Sequence, residues 1–133
     1  MAFVLDASVC AVWALADETH PAADAAMEQL DRDNALVPSL WWFEIRNVLI
    51  TNERRKRLTV EDSDAFLKLL EGFPIWTESD PDEAAILGFA RKYQLSVYDA
   101  AYLDVAHRNS LPLATLDKAL RAAAEAAGVP LLV

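Results

Sequence analysis

The sequence predicts an α/β fold with a mainly parallel central sheet. Short apolar runs recur along the chain, and helical patterns of greater length separate them. Strands covered on both faces read as continuous apolar runs, and strands joined through helical crossovers lie parallel. The 133 residues match one domain, expected to span 1–133, and a chain of that length buries roughly two-thirds of its unfolded surface.

Phe3-Val4-Leu5 is the first strand, and Asp6-Ala7-Ser8 can cap the helix after it. That pattern runs to about Ala16, breaks at Asp17-Glu18 and resumes from Pro21 to about Leu30. Ala35-Leu36-Val37 is a second buried strand, closed by Pro38. Ser39 opens a long helix through Trp41, Trp42 and Glu44 that ends in Glu53-Arg54-Arg55-Lys56-Arg57. Thr59 opens the next, reaching about Glu71, and Gly72 and Pro74 bracket a short strand at Ile75-Trp76. Further helices are expected from Asp80-Pro81 to Tyr93 and from Ser96 to Asn109. Leu113-Ala114-Thr115 is strand-like, Asp117 caps an alanine-rich helix, and residues 130–133 make a last strand. Trp13 and Trp76 read as core. Of the adjacent Trp41 and Trp42, one faces the core and the other is exposed or in an interface.

Composition narrows the function. The hydrophobic fraction of 54% argues against disorder, and no stretch nears the roughly 20 apolar residues of a membrane span. Asp6 interrupts the first apolar run and no basic leader precedes it, so no secretory signal is expected. The lone Cys10 forms no internal disulfide, which fits a reducing cytoplasm, and two histidines with one cysteine disfavour structural zinc. The net charge of −9 opposes nucleic acid as a whole-molecule field. Yet five of the twelve basic residues, Arg46, Arg54, Arg55, Lys56 and Arg57, fall on or just beyond the Glu44 helix. They form either a phosphate-binding patch or a solvated helix C-terminus.

Four of the 21 acids occupy unusual places. Asp6 and Asp117 each follow an apolar strand and precede a helix, and ligands of open α/β sheets bind outside the carboxyl ends of strands. Asp99 lies in the first turn of its helix. Glu44 sits mid-helix on an apolar stripe, where a carboxylate costs several kcal/mol unless something positive meets it. Plainer readings stay open: Asp6 and Asp117 suit helix caps, Ser96 with Asp99 suits a capping box, and Glu44 could face water. His20 and His107 read as surface residues.

The surroundings of these acids are Leu5-Asp6-Ala7-Ser8, Glu44-Ile45-Arg46-Asn47, Val97-Tyr98-Asp99-Ala100-Ala101-Tyr102-Leu103 and Ala114-Thr115-Leu116-Asp117. In order and spacing they resemble the PIN-domain family over essentially the whole chain, specifically its VapC-type toxins. The resemblance implies a three-layer α/β/α sandwich and a Mg²⁺- or Mn²⁺-dependent endoribonuclease leaving 5′-phosphate and 3′-hydroxyl ends. It puts Asp6, Glu44, Asp99 and Asp117 on the family's catalytic and metal-binding acids, Ser8 and Thr115 on its supporting hydroxyls, and Asn47 beside the helical glutamate. It also implies a VapB-type antitoxin and a homodimer, to which the apolar cluster Leu40, Trp41, Trp42 and Phe43 lends independent weight. Asp104, about 140° around the helix from Asp99, is expected outside the cluster. A catalytically silent PIN fold serving as a binding module is the rival. A receiver-type signalling domain is disfavoured, because Asp6 stands alone after its strand and no lysine follows Ile75-Trp76 or Leu132.

Overall fold

The structure, a computed structural model, describes residues 2–133. In chain order the elements are β1 (Phe3–Leu5), α1 (Ala7–Ala14), α2 (Pro21–Gln29), β2 (Ala35–Pro38), α3 (Leu40–Arg54), α4 (Val60–Glu71), β3 (Ile75–Glu78), α5 (Glu83–Tyr93), α6 (Val97–Asn109), β4 (Leu113–Ala114) and α7 (Lys118–Ala126). The four strands form one sheet in the order β3-β2-β1-β4, every pair parallel, flanked by the seven helices. The predicted α/β class with a parallel sheet is what the chain adopts.

Strand order positions the site. From β1 the chain crosses to β2 and on to β3, then returns past both to lay β4 on the other side of β1. Connections therefore leave β1 and β4 in opposite directions, and the helices after them diverge. Such a switch point opens a crevice at the carboxyl ends of the strands. Asp6 immediately follows β1, and Thr115 and Asp117 follow β4.

The middle of the fold is dry. Phe3, Val4 and Leu5 are buried on both faces of the sheet, as their unbroken apolar run requires. Helix α6 packs against β1, β2 and β4 and is buried continuously from Ala100 to Ala106. Its small residues Ala100, Ala101 and Ala106 allow that helix to lie close to the strands. Gln94 and Ser110, in left-handed backbone at φ 58° and 54°, end α5 and α6 and free the chain to turn.

Several boundaries differ from the sequence expectation. Residues 130–133 do not form a strand. They touch β4 through one parallel bridge between Leu113 and Leu131, in which the Leu113 amide donates to the Pro130 carbonyl and the Leu132 amide to the Leu113 carbonyl. Trp76 is not core but 56% exposed, because β3 is an edge strand on which both Trp76 and Thr77 meet water. The helix expected at Asp80-Pro81 starts at Glu83, after Asp82 caps it by accepting from the Ala85 amide at 3.1 Å. Of the tryptophan pair, Trp41 is buried and Trp42 exposed. His20 and His107 are exposed as expected, and among the described residues no helix is long and apolar enough to cross a membrane.

Candidate active site

Asp6 is the fixed point. It sits at the N-cap of α1 but its side chain makes no capping bond. Its Oδ2 instead accepts two short hydrogen bonds, each 2.6 Å, from the Ser8 and Thr115 hydroxyls. Each hydroxyl also accepts a backbone N–H, Ser8 Oγ from Leu116 at 3.0 Å and Thr115 Oγ1 from Asp117 at 3.1 Å. One buried carboxylate thus ties the end of β1 to the turn between β4 and α7. Thr115 is fully buried, so its hydroxyl has no water to fall back on.

Glu44 comes from α3. Its Oε1 accepts from the Tyr102 hydroxyl of α6 at 2.6 Å, and Tyr102 is itself fully buried. This bond fixes the rotamer of a half-buried acid. Tyr102 is a site residue that the sequence reading misses; its signal is its place one helical turn beyond Asp99. Asp99 lies in the first turn of α6, where Ser96 Oγ accepts from its amide at 3.0 Å. Asp117 is a true helix cap, its Oδ1 accepting from the Leu120 amide at 3.1 Å, and it lines the cleft as well.

All four acids line one cleft of about 280 Å³, together with Ser8 and Asn47 and the apolar Ala7, Ala11 and Val48. Among the described residues no lysine, arginine or histidine lines it. The charges consequently burden one another. Burial first, then Asp117, pushes the Asp6 carboxyl up, against the pull of Ser8 and Thr115. Burial raises Glu44, with Asp6 and Asp99 adding to it, and burial raises Asp99, with Asp117 and Asp6 adding to it. Among the described residues no group of three or more acids, histidines or cysteines is placed to hold a metal ion as the side chains stand. The cleft instead offers separate hard oxygen donors with open space between them.

Other residues fall elsewhere. Asp104 is buried, pairs with Arg108 Nε at 3.2 Å and lines a different, largely apolar cavity with Leu40, Val97 and Tyr98. Arg46 stacks over the Trp42 ring at 4.1 Å, donates to the Trp42 carbonyl and lines a third cavity. Arg57 pairs with Asp17 and Glu18, each at 3.1 Å, while Arg54, the last residue of α3, and Arg55 and Lys56 just beyond it are exposed. None of the five basic residues lines the acid cleft.

The Asp6 network makes a stability prediction. Thr115→Val keeps the shape but removes a hydroxyl that donates to a buried carboxylate. Hydrogen bonds to charged groups contribute about 1.5–3 kcal/mol, so a loss of about 2 kcal/mol is expected in denaturant unfolding. An unchanged midpoint would mean that Asp6 is held by something else.

Fold and cleft together define a parallel α/β protein with an acid-lined site at its topological switch point. The sequence model described as "PIN domain" matches residues 3–126, nearly the whole chain, and the chain belongs to that family. PIN domains are generally nucleases, so the fold is of nuclease type. The crystal structure of PAE2754 from Pyrobaculum aerophilum has the same fold, with a TM-score of 0.72 and 24% identity over 92% of this chain and 84% of that one. Comparison with curated proteins gives no match.

Proposed function

We propose that this protein is a Mg²⁺- or Mn²⁺-dependent endoribonuclease acting as the VapC-type toxin of a toxin–antitoxin pair. The observation that carries the nuclease reading is the convergence of Asp6, Glu44, Asp99 and Asp117, from four separate parts of the fold, on one cleft without a basic partner. Such a donor set suits a hard divalent cation, which needs one or two direct carboxylates and keeps several waters. Bound there, the cation would lower the pKa of a water and offset charge at the phosphate.

The chain's own residues do the rest. Ser8 and Thr115 hold Asp6 in one rotamer, and Tyr102 holds Glu44 in another, so both acids are positioned before substrate arrives. Asp99 and Asp117 face them across the cleft and can orient water or accept its proton. Water attacks phosphorus, the bond to the 3′ oxygen breaks, and that oxygen takes a proton to leave 3′-hydroxyl and 5′-phosphate ends. RNA as substrate, a VapB-type antitoxin, a cytoplasmic site of action and a single domain over 1–133 belong to the same reading by family likeness.

Purified protein is expected to cut RNA with Mg²⁺ or Mn²⁺ and to stop in chelator, and its expression without antitoxin to arrest growth. Binding of RNA without cutting would instead favour the silent binding module. Cutting in vitro with unaffected growth would remove the toxin role alone.

A homodimer is part of the proposal. Trp42, Phe43 and Ile50 on α3 and Val97 and Tyr98 on α6 leave large apolar area uncovered. Light scattering at micromolar concentration is expected to give twice the 14.7 kDa chain mass, and a monomer alone would count against it.

A further inference from the structure

Next to the acid cleft lies a cavity richer in basic side chains. Leu116 and Lys118, the two neighbours of Asp117, line an open cavity of about 300 Å³ shared with His20, Arg121 and Val133. Three nitrogen-bearing side chains converge there with the main-chain carboxylate of Val133, and among the described residues no aspartate or glutamate lines it. In a chain of net charge −9, two cations against that one carboxylate still make a locally positive spot.

Each of the three is arranged to donate outward. Arg121 is anchored by Nη1 to the Thr115 carbonyl at 3.0 Å and by Nη2 to a carboxylate oxygen of the final residue, Val133, at 3.1 Å. Two of its five donors are used and the guanidinium plane is fixed, leaving the remainder for a ligand. His20 Nδ1 accepts from the Ala22 amide at 3.0 Å, so the ring hydrogen of the neutral form resides on Nε2. Lys118 is exposed on a flexible stem.

We infer that His20, Lys118 and Arg121 form a phosphate subsite that holds the RNA strand beside its scissile bond. This rests on the nuclease reading above and adds the direction in which the strand leaves the cleft, over Leu116 and Lys118. A polyanion approaching four carboxylates meets repulsion, and a cationic foothold one residue from Asp117 offsets it where the backbone must bend in. The contacts reach phosphate and not base, so the subsite grips RNA without regard to sequence. It also answers the charge objection with residues far apart in sequence, not with the run ending at Arg57.

Anisotropy of a short fluorescein-labelled single-stranded RNA, titrated with the intact protein in chelator at several salt concentrations, separates the possibilities. Each phosphate contact on a single strand contributes about 0.7 to the slope of log affinity against log salt. Lys118→Ala is expected to lower the slope by about 0.7 and to weaken binding about fivefold at 0.1 M salt. His20→Asn keeps an acceptor for the Ala22 amide and is expected to weaken binding with the slope retained. Lys68→Ala, an exposed charge on α4, serves as the control and is expected to leave the slope alone. A Lys118→Ala slope equal to the parent's, or an equal drop in Lys68→Ala, overturns the subsite. Parent protein that does not bind RNA overturns it too. Lys118-dependent binding without cleavage in Mg²⁺ or Mn²⁺ would overturn the nuclease and leave the subsite standing.

Discussion

Asp99→Asn is expected to lower metal-dependent RNA cleavage about a hundredfold or more while the circular dichroism spectrum stays native. Asparagine has the same shape, and the cap of α6 survives because Ser96 Oγ accepts from the residue 99 amide, not from its side chain. What goes is a charge whose neighbours in the cleft are Asp117 and Asp6. Electrostatic groups aimed at a reacting centre are worth about 10²–10³ in rate when removed singly. The measurement is cleavage of a labelled RNA with and without chelator. Cleavage that persists in the variant and in chelator alike would end the four-acid mechanism.

Glu44→Gln is expected to move stability the other way. In chelator the parent carries four carboxylates with no cation among them, and Glu44 is raised by burial and by Asp6 and Asp99. Glutamine removes the charge yet still offers an oxygen to the Tyr102 hydroxyl. A gain of about 1 kcal/mol, a few degrees in Tm, is reasonable for a half-exposed group screened by solvent. The variant is also expected to lose much of the stabilisation that Mg²⁺ or Mn²⁺ gives the parent by mass action. The sign with pH follows from linkage. A carboxyl raised in the folded state binds its proton more readily there than in the unfolded chain. Its favourable contribution is therefore present in acid and is lost as pH rises through the raised value. The gap between variant and parent is expected to be widest near neutral pH and to close as pH falls through the range where Glu44 protonates. A variant that melts lower without metal and shows the parent's metal shift would remove Glu44 from any cation site.

The cleft was largely legible in the sequence because its acids follow rules that act locally. Asp6 and Asp117 directly follow apolar strands, and a parallel sheet brings strand ends to one edge. Glu44 betrayed itself by lying on an apolar face, and helical geometry alone set Asp104 apart, where the structure pairs it with Arg108. The failures involve partners that no local rule couples. The burial of Trp76 depended on whether its strand had neighbours on both sides, which sheet order decides. Arg57 read as free until the fold brought Asp17 and Glu18 to it from some forty positions away. His20 and Lys118 share a cavity only because the fold sets the starts of α2 and α7 side by side. The capping alternatives also resolved differently from one another: Asp117 does cap its helix, whereas the side chain of Asp6 turns away to Ser8 and Thr115.

The placement of β1 between β2 and β4 has a consequence in time. Val4 and Leu5 pair with Leu113 and Ala114, so the strand made first by the ribosome waits for one made more than a hundred residues later. At about 5–20 residues per second that wait lasts several seconds or more, and pairings of such separation are slow to close even afterwards. Until β4 arrives Asp6 lacks the Thr115 hydroxyl, and Asp117 does not yet stand beside it. A nascent chain therefore carries three of the four acids but no assembled cleft. On the proposed function, cleavage would be silent on the ribosome that makes the chain and would begin once the far end of the fold has emerged.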